Sequence, residues 1–201
     1  MNQKNKITKN AIGWLFLITL VVNVVIHFYH DPQLEFVYLV IHLSAILGVS
    51  SLFFAILIPL SRKYISLTKP NTIMTLHHLF SFTAWTSILV HLLFLSIQHQ
   101  NFTILLPIWT WKGIVIKGGP IAVIILILAA LGLLLKKKNW KRFKLIHSLN
   151  IIAFIWICLH GIIKDAVPAL GVNYPQLIVL SLMNLFVMVV LIAGAKVKKN
   201  K

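Results

Sequence analysis

Charge is scarce in this chain, and negative charge is nearly missing. Of its 201 residues only 11% are charged, and the acids number three, Asp31, Glu35 and Asp165. A soluble domain of this length carries far more charge, so a soluble fold is excluded, and no acid–base triad is expected. Cysteine occurs once, as Cys158 within an apolar stretch, which rules out an intrachain disulfide and says little of redox compartment. No G-x-G-x-x-G is present, so nothing reads as a dinucleotide-binding domain. Low-complexity segments are lacking apart from short lysine runs.

What the chain has in quantity is apolar surface. It is 59% hydrophobic, and runs of about 20 apolar residues, the length that crosses a bilayer, recur along it. The reading is one all-α membrane domain over residues 1–201, a bundle of six transmembrane helices. Its spans are predicted at about 11–29, 36–60, 72–97, 121–135, 145–163 and 176–194. The first follows a basic segment like a signal peptide, but VVNVVIHFYHD follows it in place of a small-residue cleavage site, so it is expected to stay uncleaved. Pro70 marks a helix boundary. The connection from Gln98 to Pro120 carries Trp109 and Trp111, which suit the headgroup region.

The distribution of positive charge orients the bundle. Sixteen of the 19 lysines and arginines fall before span 1, between spans 2 and 3, between spans 4 and 5, or in the tail. The opposite side holds only Lys112, Lys117 and Lys164, together with all three acids. The positive-inside rule makes the first side cytoplasmic, with both termini on it, in the cytoplasmic membrane. A formal net charge of +16 would suggest nucleic acid in a soluble protein. Here it follows membrane topology, so the expected partner is the lipid bilayer and no nucleic acid.

Histidine is the other abundant polar group, with nine residues. Spans 3 and 5 enter from the same side and share a layout: His77 and His78 at the start of span 3 with His91 near its end, and His147 and His160 in span 5. Each helix thereby separates two histidine levels by roughly 20 Å. Neutral imidazole offers a lone pair to haem iron without adding charge to lipid, and ionisable groups within spans default to a functional reading. Two stacked haems are the expectation. With no C-x-x-C-H, covalent attachment is unsupported. Two histidines on one iron leave no open position, which favours electron transfer over oxygen binding. The step His77–His91 returns to within about 40° of one helix face, whereas His147–His160 misses by roughly 140° in an ideal helix; tilt, distortion or offset haems must absorb this.

The pairs TLH…H, His77 to His91, and IH…HG, His147 to His160 with Gly161 following, resemble the transmembrane domain of the ferric reductase family, which includes the NADPH oxidases. The resemblance covers six spans in layout and is specific in two. It implies two b haems, the inner on His77 and His147 and the outer on His91 and His160, with His78 the alternative to His77. Lacking a flavin domain, the chain is similar in size to small bacterial members, such as the haem subunit of the periplasmic methionine sulfoxide reductase system. That subgroup usually lacks the first span-3 histidine, so His77 and His78 argue for two haems. The resemblance implies electrons arriving from a separate cytoplasmic flavoprotein or a quinol, and leaving to ferric iron, a quinone or a partner oxidoreductase. Flavin is expected only through a partner or at the cytoplasmic face.

Other residues carry two readings each. Arg142 and Lys144 in the basic loop 136–144, and Lys112, Lys117 and Lys164 opposite, are propionate partners or topology determinants. The same loop suits anionic lipid or an acidic flavoprotein. His42 neighbours the outer haem, moves protons, or bonds between helices. His27, His30 and His99 with Asp31 and Glu35 hold a ferric or cupric substrate, or are interfacial polarity. Trp85 and Trp156 sit between haem levels or pack ordinarily. The rival function for the whole chain is a small transporter or proton channel with a histidine relay and no haem; a non-redox assembly subunit is a third.

Overall fold

The computed structural model describes residues 3–30, 35–61, 70–106 and 119–166, together with positions 179, 182, 183, 185, 186 and 189. Among these residues every regular element is helical. The chain divides into two compact units, Met1–Gln98 with Ser181–Lys201, and His99–Leu180. Each unit has its own packing.

The first unit holds α1 (Gln3–His30), α2 (Phe36–Ser61) and α3 (Pro70–Gln98). Helix α3 opens on Pro70, whose missing N–H costs nothing at the start of a helix. Helices α2 and α3 run antiparallel along a seam of small residues. Ser44, Gly48, Ser51 and Ala55 on α2, and Ala84 and Ser87 on α3, are all buried there. A Cβ on Gly48 would lie 3.3 Å from Cγ1 of Ile88 and 3.6 Å from its backbone nitrogen, so glycine lets α3 pack closely here. The buried hydroxyls of Ser44 and Ser96 donate to carbonyls on their own helices, Ile41 and Leu92, which spares them a partnerless place in an apolar core. Helix α1 joins through its Phe16 ring, 5.4 Å from Phe54 and 4.8 Å from Phe80. The far side of α3 is apolar too: Leu79, Phe82, Leu89 and Leu93 are each at least half exposed. Water would tax such a face heavily, whereas hydrocarbon does not.

The second unit begins its regular structure with a short 3₁₀ turn, Phe102–Leu105, capped by the Asn101 side chain. Helix α4 (Gly119–Leu131) tightens into a 3₁₀ segment, Gly132–Leu135. After the lysine run, Asn139 accepts the backbone N–H of Arg142 at 3.0 Å and starts α5 (Trp140–His147). Helix α6 (Leu149–Ala166) follows after Ser148. Helix α4 packs on α6, with Ala122, Leu126 and Ala129 buried on one and Ala153, Phe154 and Cys158 on the other.

The interruption at Ser148 has a local cause. Ser148 Oγ donates to the Leu145 carbonyl at 2.6 Å, and Asn150 Nδ2 to the His147 carbonyl at 2.8 Å. The Ile151 N–H, which a regular helix would give to His147, goes to Ser148. Side chains thus replace backbone donors for one turn.

Among the described residues three helices are long and apolar enough to cross a membrane: Phe36–Leu60, Asn71–Gln98 and Trp140–Gly161. The first two match the predicted spans. The third starts five residues before the predicted 145, because the Asn139 cap makes the basic stretch helical. Residues Asn10–Val25 and Gly119–Leu135 form shorter apolar helices where spans 1 and 4 were expected. Of span 6 only the isolated positions 179 to 189 named above are described, all helical, and Trp109 and Trp111 lie outside the described residues.

At Gly132 a Cβ would come within 2.8 Å of Ile146 Cγ2. Gly132→Ala is expected to destabilise the fold by about 1–3 kcal/mol through overpacking. Ile146→Ala in the same chain should restore part of the loss, read as the midpoint of thermal unfolding in detergent.

Candidate functional site

The α2–α3 seam carries two polar crossings among apolar and small residues. Along α3 the residues facing α2 are His77, Phe80, Ala84, Ser87 and His91, spaced three and four apart. This is the 3.5-residue repeat of a left-handed helix pair. Fourteen residues make two such repeats, which brings the two positions back to the same side of the helix. Both histidines consequently meet the same neighbour. His77 Nδ1 lies 2.7 Å from the carbonyl oxygen of Ala55, and His91 Nδ1 lies 2.9 Å from that of Ile41. The two acceptors are themselves fourteen residues apart on α2.

A carbonyl oxygen only accepts, so each ring carries its proton on Nδ1. That leaves Nε2 of both half-buried rings with its lone pair, the tautomer of a histidine that ligates a metal through Nε2. The acceptors differ. Ile41 also takes the Ser44 hydroxyl at 3.0 Å. Ala55 lies four residues before Pro59, which stands inside α2 and has no N–H to give it. His78 points elsewhere: it is exposed, with its ring centroid 5.4 Å from that of His77.

In the second unit the histidines have different surroundings. His147 ends α5, stacked on buried Phe143 at 5.1 Å, and Phe143 stacks on exposed Trp140 at 5.0 Å. Asn150 Nδ2, held by its bond to the His147 carbonyl, lies 3.3 Å from His147 Nδ1. An amide nitrogen donates, so here Nδ1 accepts and the proton sits on Nε2, the reverse of His77 and His91. His160 lies on α6 with its Nδ1 buried. Its Nε2 edge passes the start of α4, where a Cβ on Gly119 would be 3.5 Å away; glycine keeps space beside that nitrogen.

The remaining sequence candidates are dispersed. His42 is half-buried with its ring on Tyr38, centroids 4.1 Å apart. Arg142 and Lys144 are exposed, and Lys144 Nζ stands 5.1 Å over the Trp140 ring. Glu35 and His99 are exposed, and Trp85 and Trp156 are half-buried. Asp31, Lys112 and Lys117 lie outside the described residues, as do the side chains of His27, His30 and Lys164. Among the described residues no three His, Cys, Asp or Glu side chains converge; axial ligation of haem asks for pairs.

Sequence reasoning did not find Ala55, Ile41, Ser44 and Asn150, the partners of the rings. Only Pro59 advertised one of them, since a proline within a span vacates the carbonyl four residues earlier. No protein-family model matches this chain, and no curated protein or solved structure matches it.

The ring environments predict distinct nitrogen signals. In ¹⁵N-histidine-labelled protein, His77 and His91 should show Nδ1–H tautomers and His147 the Nε2–H tautomer. Asn150→Leu should shift the His147 pattern and leave the other two.

Proposed function

We propose that the chain is a six-helix membrane cytochrome b, similar to the ferric reductase family, that carries electrons outward across the cytoplasmic membrane. One observation carries the reading. Two histidines on one apolar helix, two heptads apart, each give Nδ1–H to a carbonyl of the neighbouring helix and keep Nε2 as a lone pair. A structural histidine needs only one good hydrogen bond; two rings with the same Nδ1–H donation on levels roughly 21 Å apart suit a pair of metal centres.

In this reading His77 and His147 hold an inner haem b, and His91 and His160 an outer one. His77 is preferred to His78 because it shares the register and tautomer of His91. Haem supplies reversible one-electron chemistry between ferric and ferrous iron. The protein residues orient the ligand rings, and the apolar helices exclude water. Ligation by His147 requires its proton to move to Nδ1. The Asn150 amide must then turn its oxygen toward that proton and release the His147 carbonyl. Gly119 gives His160 Nε2 an approach free of a side chain.

Both termini and the basic stretch 136–144 lie on the cytoplasmic side in this topology. Electrons come from a separate flavoprotein or quinol and leave to ferric iron, a quinone or a partner oxidoreductase. Arg142 and Lys144 at the inner level, and Lys112, Lys117 and Lys164 at the outer, are the cations available to propionates.

The purified protein, expressed with haem in excess, should show a dithionite-reducible b-type spectrum with two haems per chain. His91→Ala and His160→Ala should each lose one haem and keep the other. Colourless protein would leave the histidine-relay transporter as the reading, and full haem content in both variants would refute these ligands.

A further inference from the structure

We infer that Pro59 and Ser44, which act through the acceptor carbonyls of His77 and His91, are positioning residues that set the two haems at unequal reduction potentials. The inference rests on the haem reading above. It comes from the way the two α2 acceptors are shared. The Ala55 carbonyl has no N–H from residue 59, because that residue is proline, and His77 Nδ1–H stands 2.7 Å from it. The Ile41 carbonyl has an ordinary residue, Ala45, four positions on. It also accepts the Ser44 hydroxyl at 3.0 Å and His91 Nδ1–H at 2.9 Å.

An acceptor divided among several donors gives each a weaker bond. His77 therefore donates to the less committed carbonyl. A ligand histidine that donates strongly through Nδ1 gains electron density at Nε2 and is the more basic ligand. A more basic axial ligand stabilises ferric iron over ferrous, which lowers the potential of the centre. The α3 ligands accordingly make the His77 haem the harder to reduce and the His91 haem the easier. With haem bound, these ligand settings would make transfer from the inner centre to the outer one downhill. Pro59 does this by an absence, the N–H it lacks; Ser44 does the complement by adding a donor.

The two residues make opposite claims, which a general loosening of the helix pair would not reproduce. Pro59→Ala supplies an N–H that competes for the Ala55 carbonyl, so the His77 bond should weaken and one of two midpoint potentials should rise. Ser44→Ala frees the Ile41 carbonyl, so the His91 bond should strengthen and the other potential should fall. Mediated redox titration of the full-length protein in detergent reads both, with haem content measured alongside. A second readout needs no haem. In ¹⁵N-histidine-labelled protein the His77 Nδ1–H proton should move upfield in Pro59→Ala, and the His91 Nδ1–H proton downfield in Ser44→Ala. Two haems with unchanged potentials, or shifts of the same sign, would overturn the inference and leave the haem reading standing. Wild-type protein without haem would overturn the haem reading, and with it the potentials; unmoved proton resonances would then also remove Pro59 and Ser44 as settings of the rings.

Discussion

A histidine ring inside an apolar bundle has to find a partner, and on α3 both seam histidines find one on the backbone of the adjacent helix. Helical carbonyls are mostly committed to the N–H four residues later, so few can receive a side chain from outside. Helix α2 offers two. One is released by a proline, and the other is shared with the Ser44 hydroxyl. These two oxygens dictate where an imidazole can sit, which of its nitrogens bears the proton, and how α2 and α3 are registered. Each such bond contributes only about 0.5–1.5 kcal/mol net. Its larger effect is to exclude alternatives, since sliding the helices would strand two half-buried polar rings at once.

Close packing and ring chemistry are one constraint along this seam. Imidazole is short, and Nδ1 is its nearer nitrogen to the backbone. It reaches a neighbouring main chain at 2.7–2.9 Å only if the helices nearly touch. The small residues Ser44, Gly48, Ser51, Ala55, Ala84 and Ser87 allow that approach. Gly48 sits midway between the two crossings with Ile88 already 3.3 Å from where a Cβ would be. A larger side chain there would separate the helices and lengthen both hydrogen bonds together.

Helices α2 and α3 were legible in the sequence because unbroken apolar length and Pro70 bound them. The histidine pairs were legible as residues, and the His77–His91 spacing correctly put both on one face. The partners were not, because an acceptor carbonyl belongs to no residue type; it follows from the register between two helices, which apolar composition does not encode. Pro59 was the exception, a visible residue with an effect four positions upstream. The start of the third long helix was misplaced because KKKNWKRFK has the composition of a loop. Its Asn139 cap decided otherwise, with the Trp140–Phe143–His147 stack rising from it.

The thirteen-residue step from His147 to His160 misses one face of an ideal straight helix by roughly 140°, and between these residues the helix is interrupted at Ser148. Ser148 and Asn150 take carbonyls that the backbone would otherwise have bonded, which interrupts the regular ladder between α5 and α6. His147 therefore belongs to the basic, aromatic turn before the break, where Phe143 and Asn150 orient it. His160 belongs to the apolar helix after it, where Gly119 of α4 sets its clearance. Helix α3 brings both of its rings to the α2 backbone by strict repetition, onto acceptors that are shared to different degrees. The α5–α6 segment gives its two rings different environments by interrupting the repeat. The difference traces to a single feature, an intact heptad in one helix and two carbonyl-seeking side chains in the other.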